Sequence, residues 1–270
     1  MDDSKLKIIS FDRRLDVLEM VYASEAGHIG GSMSCMDILV SLYYSVMDTT
    51  SILSQAPDRD RFILSKGHCA ESLYAVLADL GFFPPEDLAG FGRFDTALAE
   101  HPTKKIPGVE VATGALGHGL SVGVGMSMGL PASNVYVLMG DGELQEGSVW
   151  EAVMSAAKYK LGNLTAIIDR NRLQISGETE AVMPLEGLAA KFTAFGWAVR
   201  EINGHEPCEI IRGLTTGRSP DKPLVLIANT IKGYGSGIME NKADWHHLIP
   251  SADEYRQIKA DLLRRRDMYA

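Results

Sequence analysis

The sequence is poor in cysteine, with three in 270 residues: Cys35, Cys69 and Cys208, far apart and without CxxC spacing. That excludes a disulfide framework and a cysteine-built zinc site, and leaves reduced thiols as the expectation. No apolar run reaches the ~18 residues that a membrane span needs. The first ten residues, MDDSKLKIIS, lack the apolar core of a signal peptide, so a soluble cytoplasmic protein is expected. Positive charge is also scarce: 26 Lys and Arg stand against 35 Asp and Glu, a net charge of −9. Nucleic acid and anionic membranes are therefore poor candidates for the main partner. The one basic run, Arg264-Arg265-Arg266, ends an amphipathic stretch, where it suits a helix C-terminus. Neither a P-loop nor a GxGxxG follows the first strand, which argues against an ordinary nucleotide-binding α/β protein.

What is present reads as globular: 46% hydrophobic and 23% charged residues, enough for one large α/β domain or two small ones. Helical periodicity covers 11–26 and resumes near Ser34, with GHIGGS (27–32) as a break between. Strands are expected at 61–65, 134–139, 164–168, 197–202 and 223–229. Helices are expected at 69–80, 115–129, 146–160, 185–195, 207–214 and 251–265, and 92–113 reads as a long irregular loop. Loops of that length are usually functional or disordered. Short apolar strands alternating with helices give an α/β fold: a doubly wound, mainly parallel sheet with helices on both faces. Ligands of such sheets bind beyond the carboxyl ends of the strands.

One such end carries unusual chemistry. VYVLMGDGELQEG (135–147) is an apolar strand followed by three glycines and three acids. The glycines admit an anion close to the backbone, and the helix that follows points free N–H groups at it. A carboxylate beside a phosphate is tolerable only with a cation between them, so Asp141 reads as a ligand of Mg²⁺ or Ca²⁺. The next strand ends at Asn171, which parallel pairing would bring to the same ion. Alone, GDG also fits a simple strand and turn. Followed by that spacing and an apolar strand ending in Asn, it is specific.

The stretch from GDGELQEG to NRLQISG resembles the thiamine diphosphate motif of transketolases. GHIGGS, ILSKGH, PGVEVATGALGHGLSVGVGMS, NTIKGYG and WHH resemble further motifs of that family, so the likeness covers nearly the whole chain. The resemblance implies thiamine diphosphate with Mg²⁺, Ca²⁺ or Mn²⁺ as cofactors. Asp141, Asn171 and the Leu173 carbonyl would hold the metal, and Gly142 would donate to the diphosphate. His68, His246 and Lys232 would face the diphosphate, with Gly114, Leu116 and Ile175 against the cofactor rings. His28 and His101 would line the substrate channel, where imidazole suits proton transfer. Glu146 would belong to a carboxylate relay where two subunits meet, although an acid there also suits a helix N-terminus. Glu151 carries only that helix reading, and His205 a structural one.

The family activates the thiazolium with a glutamate on a second, pyrimidine-binding domain, which is not found here. The resemblance therefore implies one diphosphate-binding domain over 1–270, active with a separately encoded partner in an α2β2 assembly. It would transfer a two-carbon ketol unit from a ketose, phosphorylated in the common case, to an aldose. Several positions depart from the family pattern: Ile29 for proline, His247 for the glycine after His246, and AEHPT for GHPD or GHPE. Arg170 and Arg172 flank Asn171, as in some branches. The departures border the substrate channel and leave open a sulfo-sugar, a branched sugar or a deoxyxylulose-phosphate synthase-like reaction. A non-catalytic binder is the rival of another class, and retention of the four channel histidines argues against it.

Overall fold

A computed structural model describes residues 2–270. In chain order it contains α1 (Asp3–Ser24), α2 (Ile29–Ser41) with a π-helical continuation Leu42–Val46, α3 (Thr49–Leu53), β1 (Arg61–Leu64), α4 (Ala70–Asp79) and α5 (Gly119–Gly129). There follow β2 (Val135–Gly140), α6 (Gly147–Lys158), β3 (Leu164–Arg170), a hairpin of β4 (Leu173–Gln174) and β5 (Gly177–Glu178), α7 (Thr179–Val182) and α8 (Leu188–Ala194). The chain ends with β6 (Ala198–Asn203), α9 (Pro207–Thr215), β7 (Leu224–Asn229) and α10 (Ala252–Asp267).

Five strands form one parallel sheet in the order β1-β2-β3-β7-β6. Period-2 alternation divides their side chains between two apolar cores. Val135, Val137 and Met139 of β2 face α5, α6 and α8, with Ala166 and Ile168 of β3 beside them. Tyr136, Leu138 and Ile167 point the other way, into the core built on α1, α2 and α4. Both faces are thus covered over β1, β2, β3 and β7, which is why these read as mainly apolar runs rather than alternating ones; the edge strand β6 is only partly buried. No described helix is long and apolar enough to cross a membrane.

The structure corrects several expected boundaries. The first helix starts at Asp3, eight residues before 11. Its N-terminal part carries Lys5 and Lys7 among apolar residues, and Lys7 is nonetheless buried, donating to Glu206 at 3.0 Å. The break expected at GHIGGS is shorter than its six residues and begins earlier: it spans 25–28, and α2 opens at Ile29 and includes Gly30 and Gly31. A Cβ at Gly30 would lie 2.5 Å from the Trp245 carbonyl oxygen, and one at Gly31 would lie 2.7 Å from Cys69 Sγ. These glycines serve close approach inside a helix, not chain reversal. The reversal falls just before them, at Glu25 and at Gly27, the first residue of GHIGGS, both with positive φ. Likewise α5 opens at Gly119, not 115, and α6 at Gly147 after a 3-10 turn over Gly142–Gln145. The segment 92–113 has no regular element, as expected, and Tyr74 Oη anchors it by donating to the Ala99 carbonyl at 2.9 Å.

Candidate active site at the carboxyl edge of the sheet

The strand ends of β1, β2, β3 and β7 deliver their following loops to one cavity of about 410 Å³. Every cofactor, metal and catalytic residue expected from the sequence lines it, except His101. Pairing sets the geometry: Gly140 stands opposite Asp169 in the β2–β3 register, so Asp141 and Asn171 emerge side by side. Leu173 and Ile175 sit on the β4–β5 hairpin and its tip, the latter 75% exposed over the opening. Glu146 is exposed at the rim, and Glu151 lies outside the cavity on the exposed side of α6.

Asp141 is almost wholly buried. Its Oδ1 accepts the Gly142 N–H at 2.8 Å, and its Oδ2 accepts the Arg172 N–H at 2.5 Å and Arg170 Nη1 at 3.1 Å. Burial and the neighbouring Asp169 carboxylate nevertheless hold its affinity for a proton above the ordinary value. A group that is hard to ionise there, next to the Asn171 amide oxygen and a run of backbone carbonyls, suits a hard divalent cation. The donor set fits such an ion. Asn171 is fixed for this by donating Nδ2 to Asp169 Oδ2 at 3.3 Å and by accepting the Leu173 N–H at 3.1 Å.

Four histidines from four segments meet beside the acid. His28 is the hub: its ring lies 5.4 Å from His68, 5.4 Å from His246 and 6.0 Å from His101. His101 reaches the group from the irregular loop and packs under Gly114, where a Cβ would lie 3.1 Å from its ring. Gly114 has φ +154, a conformation that this close approach of backbone to ring requires. Burial, reinforced by neighbouring cationic groups, drives three of them, His28, His68 and His246, toward the neutral form. His28 and His68 are pushed down to about 3, and His246 to about 2. Lys232 Nζ lies 3.0 Å from His246 Nδ1, and burial followed by Lys66 lowers this lysine to about 8. The wall thus offers neutral imidazoles and two ammonium groups to an anion.

Several working residues were not singled out from the sequence. Lys66 is fully buried, donating to Asp169 Oδ2 at 2.5 Å and to the Gly31 carbonyl at 3.1 Å. Asp169 also accepts Ser34 Oγ at 2.6 Å and Thr230 Oγ1, tying β3, α2 and the β7 loop beneath the cavity. Glu143 accepts Ser65 Oγ, the Gly117 N–H at 2.9 Å and the Gly140 N–H at 3.2 Å. One carboxylate therefore clamps three loops. Glu71 is buried, pushed up to about 7 by desolvation, and accepts the His28 N–H at 2.7 Å. Their signal was adjacency: Lys66, Glu143 and Asp169 each lie within two residues of a motif residue. His205 is structural, bridging Asp37 at 2.8 Å and the Ile231 N–H at 2.9 Å. His118 is exposed and touches only the Leu116 carbonyl, at 3.2 Å. The three cysteines are free.

A parallel sheet whose carboxyl edge gathers a buried acid, an amide, ammonium groups and neutral histidines defines an α/β protein with an anion-attracting cavity and donors of the kind a hard cation takes. A family model described as transketolase, thiamine diphosphate binding domain, matches residues 4–264, and the chain belongs to that family. One of the subunits of the apulose-4-phosphate transketolase of Phocaeicola vulgatus is 48% identical to it, over 98% of this chain and 96% of that protein. A 6-deoxy-6-sulfo-D-fructose transketolase subunit of a Clostridium species is 38% identical over 91% of each. Among solved structures, transketolase from Campylobacter jejuni superposes with a TM-score of 0.87 at 29% identity, over 100% of this chain and 46% of that one. The chain thus spans less than half of the solved transketolase chains it matches, and nearly all of these separate subunits.

Proposed function

We propose that this chain is the diphosphate-binding subunit of a split transketolase, one domain over 1–270, which transfers a two-carbon ketol unit from a ketose to an aldose together with a second subunit. The observation that carries the reading is the convergence of Asp141, Asn171 and the histidine cluster in one cavity, in a chain nearly coextensive with proteins named as transketolase subunits. Asp141, Asn171 and the Leu173 carbonyl would hold Mg²⁺, Ca²⁺ or Mn²⁺. The Gly142 N–H, His68, His246 and Lys232 would hold the diphosphate. Gly114, Leu116 and Ile175 would bound the rings. Bound thiamine diphosphate supplies a carbon nucleophile that accepts the two-carbon fragment. The protein's part is to hold the metal and diphosphate, exclude water, and move protons at the sugar hydroxyls through the ring nitrogens of His28 and His101. A cytoplasmic location belongs to the same reading.

An exposed apolar face supports the second subunit. Val122 and Met128 of α5 and Met154 of α6 are 37%, 49% and 54% exposed. On α5, a Cβ at Gly125 or Gly129 would meet nothing within 4 Å, so no contact in this chain accounts for either glycine. A helix of a partner would. Exposed Glu146, on the cavity lining just before α6, then suits the interfacial carboxylate relay. An α2β2 assembly is the form proposed. The donor is proposed to be a non-standard ketose, in keeping with the names of the subunit relatives.

The test is to tag this chain in its native host, purify the complex, and measure ketol transfer with thiamine diphosphate and Mg²⁺. The complex should turn over and the isolated chain should not. Full turnover by the isolated chain, or none by the complex, overturns the proposal.

A further inference from the structure

Glu100 and His247 approach each other across the top of His28. His247 Nε2 lies 3.6 Å from Glu100 Oε2. One nitrogen or carboxylate oxygen from each of His28, Glu100 and His247 falls within 4.8 Å of the other two. The rings of His28 and His247 are 4.6 Å apart, nearly edge to face at 75°. The Glu100 side chain is 37% exposed and that of His247 56%, so both are presented to whatever enters. They come from separate loops, Glu100 directly before His101 and His247 directly after His246. Each stands where the family pattern has glycine. An acid and an imidazole thus meet over the hub of the histidine cluster.

Their chemistry limits what they receive. A carboxylate accepts from a hydroxyl, and an imidazole can accept from or donate to one. A carboxylate also repels a phosphate or sulfonate brought against it. Beneath them, His28 Nδ1 is buried without a hydrogen-bond partner among the described residues. A hydroxyl placed there satisfies an atom that is otherwise costly to bury. On the transketolase reading above, we propose that Glu100 and His247 are a specificity pair. They bind an uncharged hydroxyl or hydroxymethyl group of the sugar held against His28, and they exclude donors whose anionic end falls at that depth. Donor choice is then set partly in this subunit. The pair acts on KM and donor ranking, and the other channel histidines keep their proton-transfer roles.

The experiment uses the complex purified through a tag on this chain. Wild type, Glu100→Gly, Glu100→Gln, His247→Gly and the double glycine variant are compared on four donors. These are D-xylulose 5-phosphate, D-fructose 6-phosphate, apulose 4-phosphate and 6-deoxy-6-sulfo-D-fructose. The donor preferred by wild type should lose at least tenfold in kcat/KM in each glycine variant, mainly through KM, and the donor ranking should change. Glu100→Gln should retain more than Glu100→Gly, since an amide still accepts a hydroxyl. Equal losses on all donors, or an unchanged ranking, overturn the inference. So does a ranking that shifts only with added zinc and reverts with a chelator, because the three groups are then a metal site. If the wild-type complex turns over no donor, the transketolase reading itself fails, a result distinct from turnover with unchanged ranking.

Discussion

Lys232 Nζ lies 3.0 Å from Nδ1 of His246 inside the cavity wall; burial and then this lysine lower the imidazole's proton affinity, while burial and then Lys66 lower the lysine's. The imidazole is neutral at any working pH, so it accepts from the ammonium. The ammonium survives only up to about pH 8.

That sets the first prediction. Affinity for an anion held by Lys232 should fall as pH rises through about 8, because the charge is lost there. Calorimetric titration of the complex with thiamine diphosphate and Mg²⁺ from pH 7 to 9.5 should show this fall. Lys232→Met should bind more weakly at pH 7 and show a flatter profile. The stability sign follows: a lysine lowered from 10.5 to about 8 binds more proton unfolded than folded between those values, so its contribution to folded-state stability rises with pH across them. A steeper profile in the variant than in wild type counts against the assignment.

Lys66 and Asp169 give the second. They form a fully buried pair at 2.5 Å under the cavity floor. Removing one partner leaves an uncompensated buried charge, which costs about 3–5 kcal/mol. Lys66→Met should lower the unfolding free energy obtained from urea titration by that order, and Lys66→Met with Asp169→Asn should lose less than the sum of the single changes. Additive losses would mean that the two groups do not act as a pair.

The glycines of α2 and α5 give the third. Gly30→Ala places a methyl 2.5 Å from the Trp245 carbonyl oxygen, so the backbone that carries His246 must move. Overpacking of this kind costs about 1–3 kcal/mol. Gly125→Ala meets nothing within 4 Å and should stabilise the isolated chain by about 0.4–1 kcal/mol. The same change should weaken the complex if a partner helix packs there. Thermal melts of the chain alone, set beside sedimentation of the complex, separate the two effects. A stabilised complex would remove α5 from the proposed interface.

These glycines also mark what the sequence can and cannot tell. β1, β2, β3 and β7 are legible because they are buried on both faces and read as mainly apolar runs, whereas the edge strand β6 is partly exposed and mixed. The motif residues are legible because they sit at strand ends, where chemistry concentrates. Gly30 and Gly31 read as a break because glycine disfavours helix in isolation, whereas long-range contacts with Trp245 and Cys69 decide their place. Glu143 reads as loop charge, since nothing local says that Ser65, Gly117 and Gly140 will all donate to it. Asp169 reads as part of a strand rather than the anchor of Lys66, a partner 103 residues away.

The central claim is that Asp141 holds a cation against a diphosphate. Its most direct test is calorimetric binding of thiamine diphosphate to the purified complex, with and without Mg²⁺, for wild type and Asp141→Ala. The account predicts Mg²⁺-dependent binding in wild type and a loss of at least tenfold in affinity in the variant. Equal affinity without the metal, or undiminished metal-dependent binding in Asp141→Ala, would contradict it.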